Sequence, residues 1–320
     1  RGGKVTGVCQ PQNESNASLS RLMIGAEPAA LEHRPAQAGD VVLQVRDLLL
    51  PRQDAFGVDL IDVSLQVRSG EVVGIAGVSG NGQQELLRAL SGEDTRAQPA
   101  MVQVTGQDVA RLGPQQRRAL GLHFVPEERL GRGAVPTMGL AHNLLLTRSD
   151  AVGAMGWLHL GQLKAQARAI IERFGVKAGG ADAPARSLSG GNLQKFIVGR
   201  EIAAQPKLII IAQPTWGVDV GAAAQIHAEI LALRDAGCAV LIVSEELDEL
   251  FELSDRLYVL AKGHLSPSVA RADATVQQVG EWMSGLWNAD VQQHLADMEQ
   301  VLPSSEAAQA NALVKGPQHV

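Results

Sequence analysis

Leu188-Ser189-Gly190-Gly191-Asn192-Leu193-Gln194-Lys195 decides how the rest of the sequence is read. Ser189 offers a hydroxyl, Gly190 and Gly191 leave their backbone N–H groups bare, and the following residues continue as a helix. The first turn of a helix has unpaired N–H groups and the positive end of the dipole, so such an opening receives anions. By itself, Ser-Gly-Gly is equally an ordinary helix cap. The flanking sequence argues against the cap alone. Lys207-Leu208-Ile209-Ile210-Ile211 follows, an apolar run of the kind buried on both faces of a parallel sheet. Upstream, Glu71-Val72-Val73-Gly74-Ile75-Ala76 is another such run, leading into Gly77-Val78-Ser79-Gly80-Asn81-Gly82-Gln83-Gln84. Gly77 and Gly82 enclose four residues, Gly80 among them. That is the spacing of a loop that wraps phosphate oxygens with backbone N–H groups ahead of a helix. Gln83 stands where such a loop carries its phosphate-binding lysine, and Gln84 where it carries a magnesium-binding hydroxyl. The cradle keeps its glycines and lacks its fixed charge.

Around these stretches the pattern is that of an α/β protein with an insertion. Strands are expected over 41–45, 63–67, 71–76, 208–211, 239–243 and 257–260, and helices over 84–90, 222–236 and 246–253. Residues 114–200 read as helical. Within them Leu163, Ala167, Ile170, Ile171 and Phe174 form the stripe of an amphipathic helix. The sequence divides into an irregular segment 1–38, a unit 39–266, and a mixed tail 267–320 that ends polar. Gly3, Met23 and Gly25 recur as Gly263, Met283 and Gly285, all at an offset of 260. A tandem duplication leaves such a trace when most of its first copy is missing. Arg1 is not an initiator Met and no apolar signal segment follows it, so the chain reads as starting inside a longer protein.

Composition excludes several classes. With 45% apolar and 19% charged residues the chain can build a large core, and it is neither disordered nor a coiled coil. Aromatics at 3% make that core aliphatic. Twenty-eight Lys and Arg against 34 Asp and Glu leave a net charge of −6, which gives no bulk attraction to nucleic acid. Cys9 and Cys238 are too few for a disulfide framework or a thiolate metal site, and they suit a reducing compartment. The histidines show no ligand spacing. No apolar run reaches the ~20 residues of a membrane helix.

The signature-like loop just upstream of an apolar strand, with a glycine loop before it, resembles the ATP-binding-cassette ATPases over about residues 40–265. Gly77 to Gln83, His123-Phe124-Val125-Pro126-Glu127-Glu128-Arg129, Ala212-Gln213-Pro214-Thr215 and Ser244-Glu245-Glu246-Leu247-Asp248-Glu249 narrow the branch. They are similar to the second nucleotide-binding domain of the duplicated ATPases of bacterial nucleoside and simple-sugar importers. Gln-Pro-Thr after the strand favours the nucleoside branch; Trp216 departs from the Arg usual there. The resemblance implies an α/β, ABC-type P-loop NTPase. Its RecA-like, mainly parallel sheet would carry an antiparallel β edge and an inserted helical subdomain over about 114–200, and residues 1–38 would be the tail of a first cassette and its linker. It also implies ATP as ligand, with Mg²⁺ bound weakly or only at the partner site. The implied partners are transmembrane permeases, a periplasmic or lipoprotein substrate-binding protein, and a first ABC domain of the same chain or a homologous cassette, with no nucleic acid. The implied location is peripheral, on the cytoplasmic face of the inner membrane.

In such cassettes an Asp holds the metal, a Glu polarises the attacking water, a Gln lines the site and a His contacts the γ-phosphate. The resemblance places Ala212, Gln213, Glu127 and Glu245 at those positions. Ala212 offers no ligand, Gln213 cannot take a proton, and Glu245 sets a carboxylate where phosphate charge gathers. With Gln83 and Gln84, the site is expected to hydrolyse ATP poorly and to hold no metal of its own, while its backbone cradle still binds nucleotide. Leu188, Ser189, Gly190, Gly191 and Asn192 are retained, and in the family this loop serves the nucleotide of the opposite domain. Asp219, in Gly217-Val218-Asp219, is the candidate D-loop residue reaching across the same interface. Phe56 is a candidate for stacking on adenine, against simple packing in a hairpin. Trp282 and Trp287 read as core packing, and the acidic stretch 245–249 as a solvated helix start. A nucleotide-binding regulatory scaffold and a non-transport cassette stay open as alternatives; a P-loop kinase would leave Leu188–Gly191 without a role.

Overall fold

The computed structural model describes residues 5, 7–10, 12, 37–148, 153–154 and 157–287. Gly3, Met23 and Gly25, most of segment 1–38 and the tail beyond residue 287 lie outside the described residues.

The chain begins its regular structure with β1 (Val41–Leu50) and β2 (Leu60–Arg68), an antiparallel pair. β3 (Val72–Ala76) and α1 (Gln83–Ser91) follow, then β4 (Val102–Val104), β5 (Gln107–Asp108), α2 (Pro114–Ala119) and β6 (Leu122–Val125). Next come α3 (Leu140–Leu145), a small hairpin of β7 (Gly153–Ala154) and β8 (Trp157–Leu158), α4 (Leu160–Arg173) and α5 (Gly190–Ala203). The rest alternates: β9 (Leu208–Ala212), α6 (Val220–Asp235), β10 (Ala239–Ser244), α7 (Leu247–Leu253) and β11 (Arg256–Ala261), closed by β12 (His264–Leu265), β13 (Val269–Ala270) and α8 (Val276–Met283).

Two sheets result. β11, β3, β10, β9 and β6 lie side by side and run parallel. β2, β1, β4 and β5 form an antiparallel sheet. The parallel strands are buried on both faces, so alternate residues feed two cores. Ile209, Ile211, Val240 and Ile242 face one, against the helices. Leu208, Ile210, Leu241 and Val243 face the other, against α1 and the antiparallel sheet. The amphipathic stripe of α4 is confirmed: Leu163, Ala167, Ile170 and Phe174 are buried.

Register positions the site. Ala76 pairs with Ser244, Val243 with Ala212, and Ile211 with Val125. The carboxyl ends of β3, β10, β9 and β6 therefore end level, and the loops after them share one edge, where open α/β sheets bind ligands.

One expected boundary needs correction. The stretch read as helical from residue 114 contains β6, which pairs with β9 as the outer parallel strand. β6 has only four residues, and His123 breaks its apolar run. His123 is nevertheless buried, because a charge cluster takes it in. Glu201 of α5 meets His123 Nδ1 at 2.9 Å, Arg118 Nη1 at 2.5 Å and Arg200 Nε at 2.8 Å. Burial alone would raise the Glu201 carboxyl; Arg200, His123 and Arg118 outweigh it and hold it at about 2. Arg200 Nη1 also donates to the Asn143 carbonyl at 3.3 Å. This cluster fastens α5 to β6 and to α3. Among the described residues, no helix is long and apolar enough to cross a membrane.

Candidate functional site

The phosphate loop joins β3 to α1 as expected. Gly80 and Gly82 have φ of 83° and 106°, left-handed values that favour glycine. A Cβ on Gly77 would lie 2.5 Å from the Leu260 carbonyl oxygen, a backbone atom that cannot step aside, so glycine is required there too. Gly263, one of the repeated residues, braces the loop: its N–H donates to the Asn81 carbonyl at 2.9 Å, and a Cβ on it would lie 1.8 Å from the Asp59 carbonyl oxygen. The far end of α1 is pinned by the buried Arg117, whose guanidinium donates to the carbonyls of Ala89 and Leu90 at 2.5 and 2.8 Å.

Inside this loop the side chain of Gln83 engages one backbone donor and one backbone acceptor. Gln83 Oε1 accepts the Asn81 N–H at 3.0 Å, and Gln83 Nε2 donates to the Val78 carbonyl at 2.8 Å. The glutamine has folded into the cradle it was expected to leave open. Gln84 is exposed.

Beside the loop, Ala212 ends β9 and is buried. A buried methyl and an exposed carboxamide are not a donor set for Mg²⁺, so these residues do not fit the metal. Gln213 has φ of 48°, and its N–H donates to the Val243 carbonyl at 2.8 Å. Its Oε1 lies 3.3 Å from the N–H of Glu245 and turns toward β10. Glu245 is exposed. Burial raises the Glu127 carboxyl, and the charges of Glu128 and Glu245 raise it further against Arg132. Glu127 and Glu245 are thus near enough to repel. Phe56 is 98% exposed on the β1–β2 connection, so it does not pack in the hairpin.

The signature loop is built differently. Ser189 occupies the N-cap position of α5, but its hydroxyl does not cap the helix. Instead Ser189 Oγ accepts from Asn192 Nδ2 at 2.8 Å, and Asn192 Oδ1 accepts the Lys177 N–H at 2.7 Å. The serine O–H stays available on an exposed surface. Asp219 caps α6 by accepting the Ala222 N–H at 2.9 Å, and its Oδ2 would be 3.5 Å from a Cβ on Gly191. The structure therefore brings Ser189, Gly190, Gly191 and Asp219 together. No hydrogen bond or ion pair joins residues 188–192 to the phosphate loop among the described residues.

The fold matches a solved, nucleotide-free ATP-binding cassette from an ABC transporter, with a TM-score of 0.60 at 22% identity, covering 79% of this chain and 97% of that one. The ABC transporter family matches residues 60–216. The chain carries an ABC-type ATP-binding cassette. It is 37% identical over 289 residues to the guanosine import ATP-binding protein NupO of Bacillus subtilis, covering 89% of this chain and 56% of that protein. It is 39% identical over 291 residues to the glucose import ATP-binding protein TsgD13 of Haloferax volcanii, covering 89% and 52%. The chain spans just over half the length of these relatives.

The sequence reading missed a second layer under the cassette's edge. Glu249, read as part of a solvated helix start, is 4% exposed. It accepts from the Thr215 hydroxyl at 2.5 Å, from Ser244 Oγ at 2.8 Å and from His227 Nε2 at 3.0 Å. The turn after β9, the end of β10 and α6 are thereby tied to one carboxylate. Its spacing to Leu250 and Leu253, on the buried face of α7, was the available signal. Trp282 packs against the core as expected. Trp216 is 57% exposed, and nothing in the structure explains a tryptophan there.

Proposed function

We propose that this cassette is the hydrolysis-poor half of a paired ATP-binding unit that drives import of nucleosides or simple sugars through membrane permeases. One contrast carries the reading: Gln83, Gln84, Ala212, Gln213 and Glu245 stand in place of the groups that phosphoryl transfer needs, while Ser189, Gly190, Gly191 and Asp219 are kept at one place, with Ser189, Gly190 and Asp219 exposed and Gly191 half-buried. Importer relatives, one for guanosine and one for glucose, support the transport class and leave both cargo types in the proposal.

On this reading the partner is a first cassette of the same polypeptide or a homologous one, and the chain sits peripherally at the cytoplasmic face of the inner membrane. A bound Mg²⁺–ATP in that partner supplies the leaving group and its counter-charge. This chain adds the Ser189 hydroxyl and the first N–H groups of α5, which donate to phosphate oxygens where charge develops. Asp219 orders the adjoining turn. The chain's own loop takes nucleotide weakly, because Gln83 must first leave it. Closure of the pair moves the permease; a substrate-binding protein outside would deliver the cargo.

The test is Ser189→Glu in the complete transporter, beside Gln213→Ala. A carboxylate at residue 189 should repel the phosphate and cut ATP turnover about a hundredfold or more, whereas Gln213→Ala should leave it nearly unchanged. Unchanged turnover with Ser189→Glu would instead make the domain a nucleotide-binding scaffold.

A further inference from the structure

Arg129 lies two residues beyond Glu127 and takes no part in the chemistry described so far. Its Nε donates to Gln194 Oε1 at 3.0 Å. Gln194 is 1% exposed, and its Nε2 donates to the Pro214 carbonyl at 2.9 Å. The carboxamide is used at both ends, so it pins one edge of the guanidinium and sets the direction of the other. That other edge lies between two glycines. A Cβ on Gly190 would be 2.9 Å from Nη1, and one on Gly217 would be 3.9 Å from Nη1 and 4.0 Å from Nη2. The Nη groups are thus at the junction of the signature loop and the D-loop, and the absence of side chains at Gly190 and Gly217 leaves room for them.

Among the described residues no carboxylate pairs with Arg129, and burial lowers its pKa with no acid to offset it. Other arginines nearby are compensated: Arg132 by Glu93 and Glu128, Arg200 by Glu201. A half-buried guanidinium without an anion bears a desolvation cost that an incoming anion removes. Its planar fork suits phosphate oxygens, to which it can donate twice.

We infer that Arg129 supplies the positive charge of the signature face and donates through its Nη groups to the terminal phosphate of a nucleotide held by the facing cassette. This rests on the shared-site reading above and adds a residue to it. Gln194 is then a positioning residue that aims the fork.

The test uses the complete transporter with Arg129→Ala, Arg129→Lys and Ser189→Glu, measuring kcat and KM for ATP, trapping of ADP with vanadate, and melting temperature. Arg129→Ala should lower kcat and vanadate trapping about ten- to a hundredfold with a much smaller change in KM, since the partner's own loop sets initial binding. Arg129→Lys, which keeps the charge, should recover part of both, with the melting temperature of all three near that of the parent. If Ser189→Glu stops turnover while Arg129→Ala stays within about twofold of the parent, the Arg129 assignment fails and the shared site stands. If Arg129→Lys is as impaired as Arg129→Ala and both melt lower, Arg129 is a packing residue and the inference is overturned. If Ser189→Glu turns over normally, the shared site fails and takes Arg129 with it.

Discussion

At the phosphate loop a side chain of the loop itself takes up a backbone donor, and at the signature loop the serine hydroxyl keeps its proton free on the surface. Gln83 spends its carboxamide on the Asn81 N–H and the Val78 carbonyl, closing a ring that needs no ligand. Ser189 takes its hydrogen bond from Asn192 as an acceptor only, and its own proton remains to be given. Both loops precede a helix and both are rich in glycine, so motif spacing alone ranks them equal. What separates them is where the side-chain amides go. A neutral amide can satisfy backbone groups within its own loop, whereas the lysine it replaces has only donors and could not accept the Asn81 N–H. A glutamine at this position therefore does more than lack a charge: it meets an N–H and a carbonyl of its own loop.

The contrast requires the signature loop to be rigidly mounted, and its mount is the largest effect to test. Glu201 on α5 is the single carboxylate among Arg118, Arg200 and His123. Glu201→Ala leaves buried cations uncompensated and should destabilise the chain by about 3–5 kcal/mol in urea unfolding. The carboxyl is held down from an ordinary 4.5 to about 2, so its contribution is complete above the higher value and is lost as pH falls through the lower one. The variant should lose stability at neutral pH and show a flatter acid limb. A loss of less than about 1 kcal/mol would mean that α5 is held mainly by its apolar face.

Under the catalytic edge, the corresponding support is Glu249. Glu249→Ala strands the Thr215 and Ser244 hydroxyls and should cost about 2–3 kcal/mol, read from the urea midpoint. That outcome would show that this edge keeps its architecture whatever the chemistry of the groups above it.

How much of this was readable beforehand follows from what each residue answers to. The parallel strands were plain in the sequence, because burial on both faces demands unbroken apolar runs such as Leu208–Ala212. β6 was hidden because its histidine is paid for by Glu201, far away in sequence. The glycine loop and the Ser189 loop were legible from backbone requirements alone. The fold of Gln83 into its own loop was not, since it depends on side-chain geometry, and neither were Arg129 and Glu249. Their partners, Gln194, Thr215, Ser244 and His227, come from other elements and no local period reports them; only the burial of Glu249 had a local signal, its spacing to Leu253.

Gln83→Lys tests the self-filled loop directly. Lysine cannot accept the Asn81 N–H, so the ring opens and a fixed charge enters together. The chain's affinity for ATP should rise about tenfold, roughly 1.4 kcal/mol, by calorimetry, with no gain in hydrolysis because Ala212 and Gln213 are unchanged. If affinity stays flat, the lost lysine is not what weakens the cradle, and the two loops differ by more than this one side chain.

The smallest effect lies at the edge of the same site, where Glu127 and Glu245 repel. Burial and these charges raise the Glu127 carboxyl above an ordinary 4.5, which means that the folded chain holds this proton more tightly than the unfolded one. Its contribution is therefore full below that ordinary value and is lost as pH rises through the raised one, opposite in sign to Glu201 and in a higher window. Glu127→Gln keeps the shape and removes the charge, so it should stabilise the chain at neutral pH. Solvent screening limits the gain to about 0.5 kcal/mol. Urea midpoints of the parent and Glu127→Gln, compared from about pH 4 to about pH 7, should converge at the acid end and part toward neutrality. Parallel curves would mean that burial and the charges of Glu128 and Glu245 together do not hold the Glu127 proton, leaving missing groups, without added repulsion, as the whole difference between the two loops.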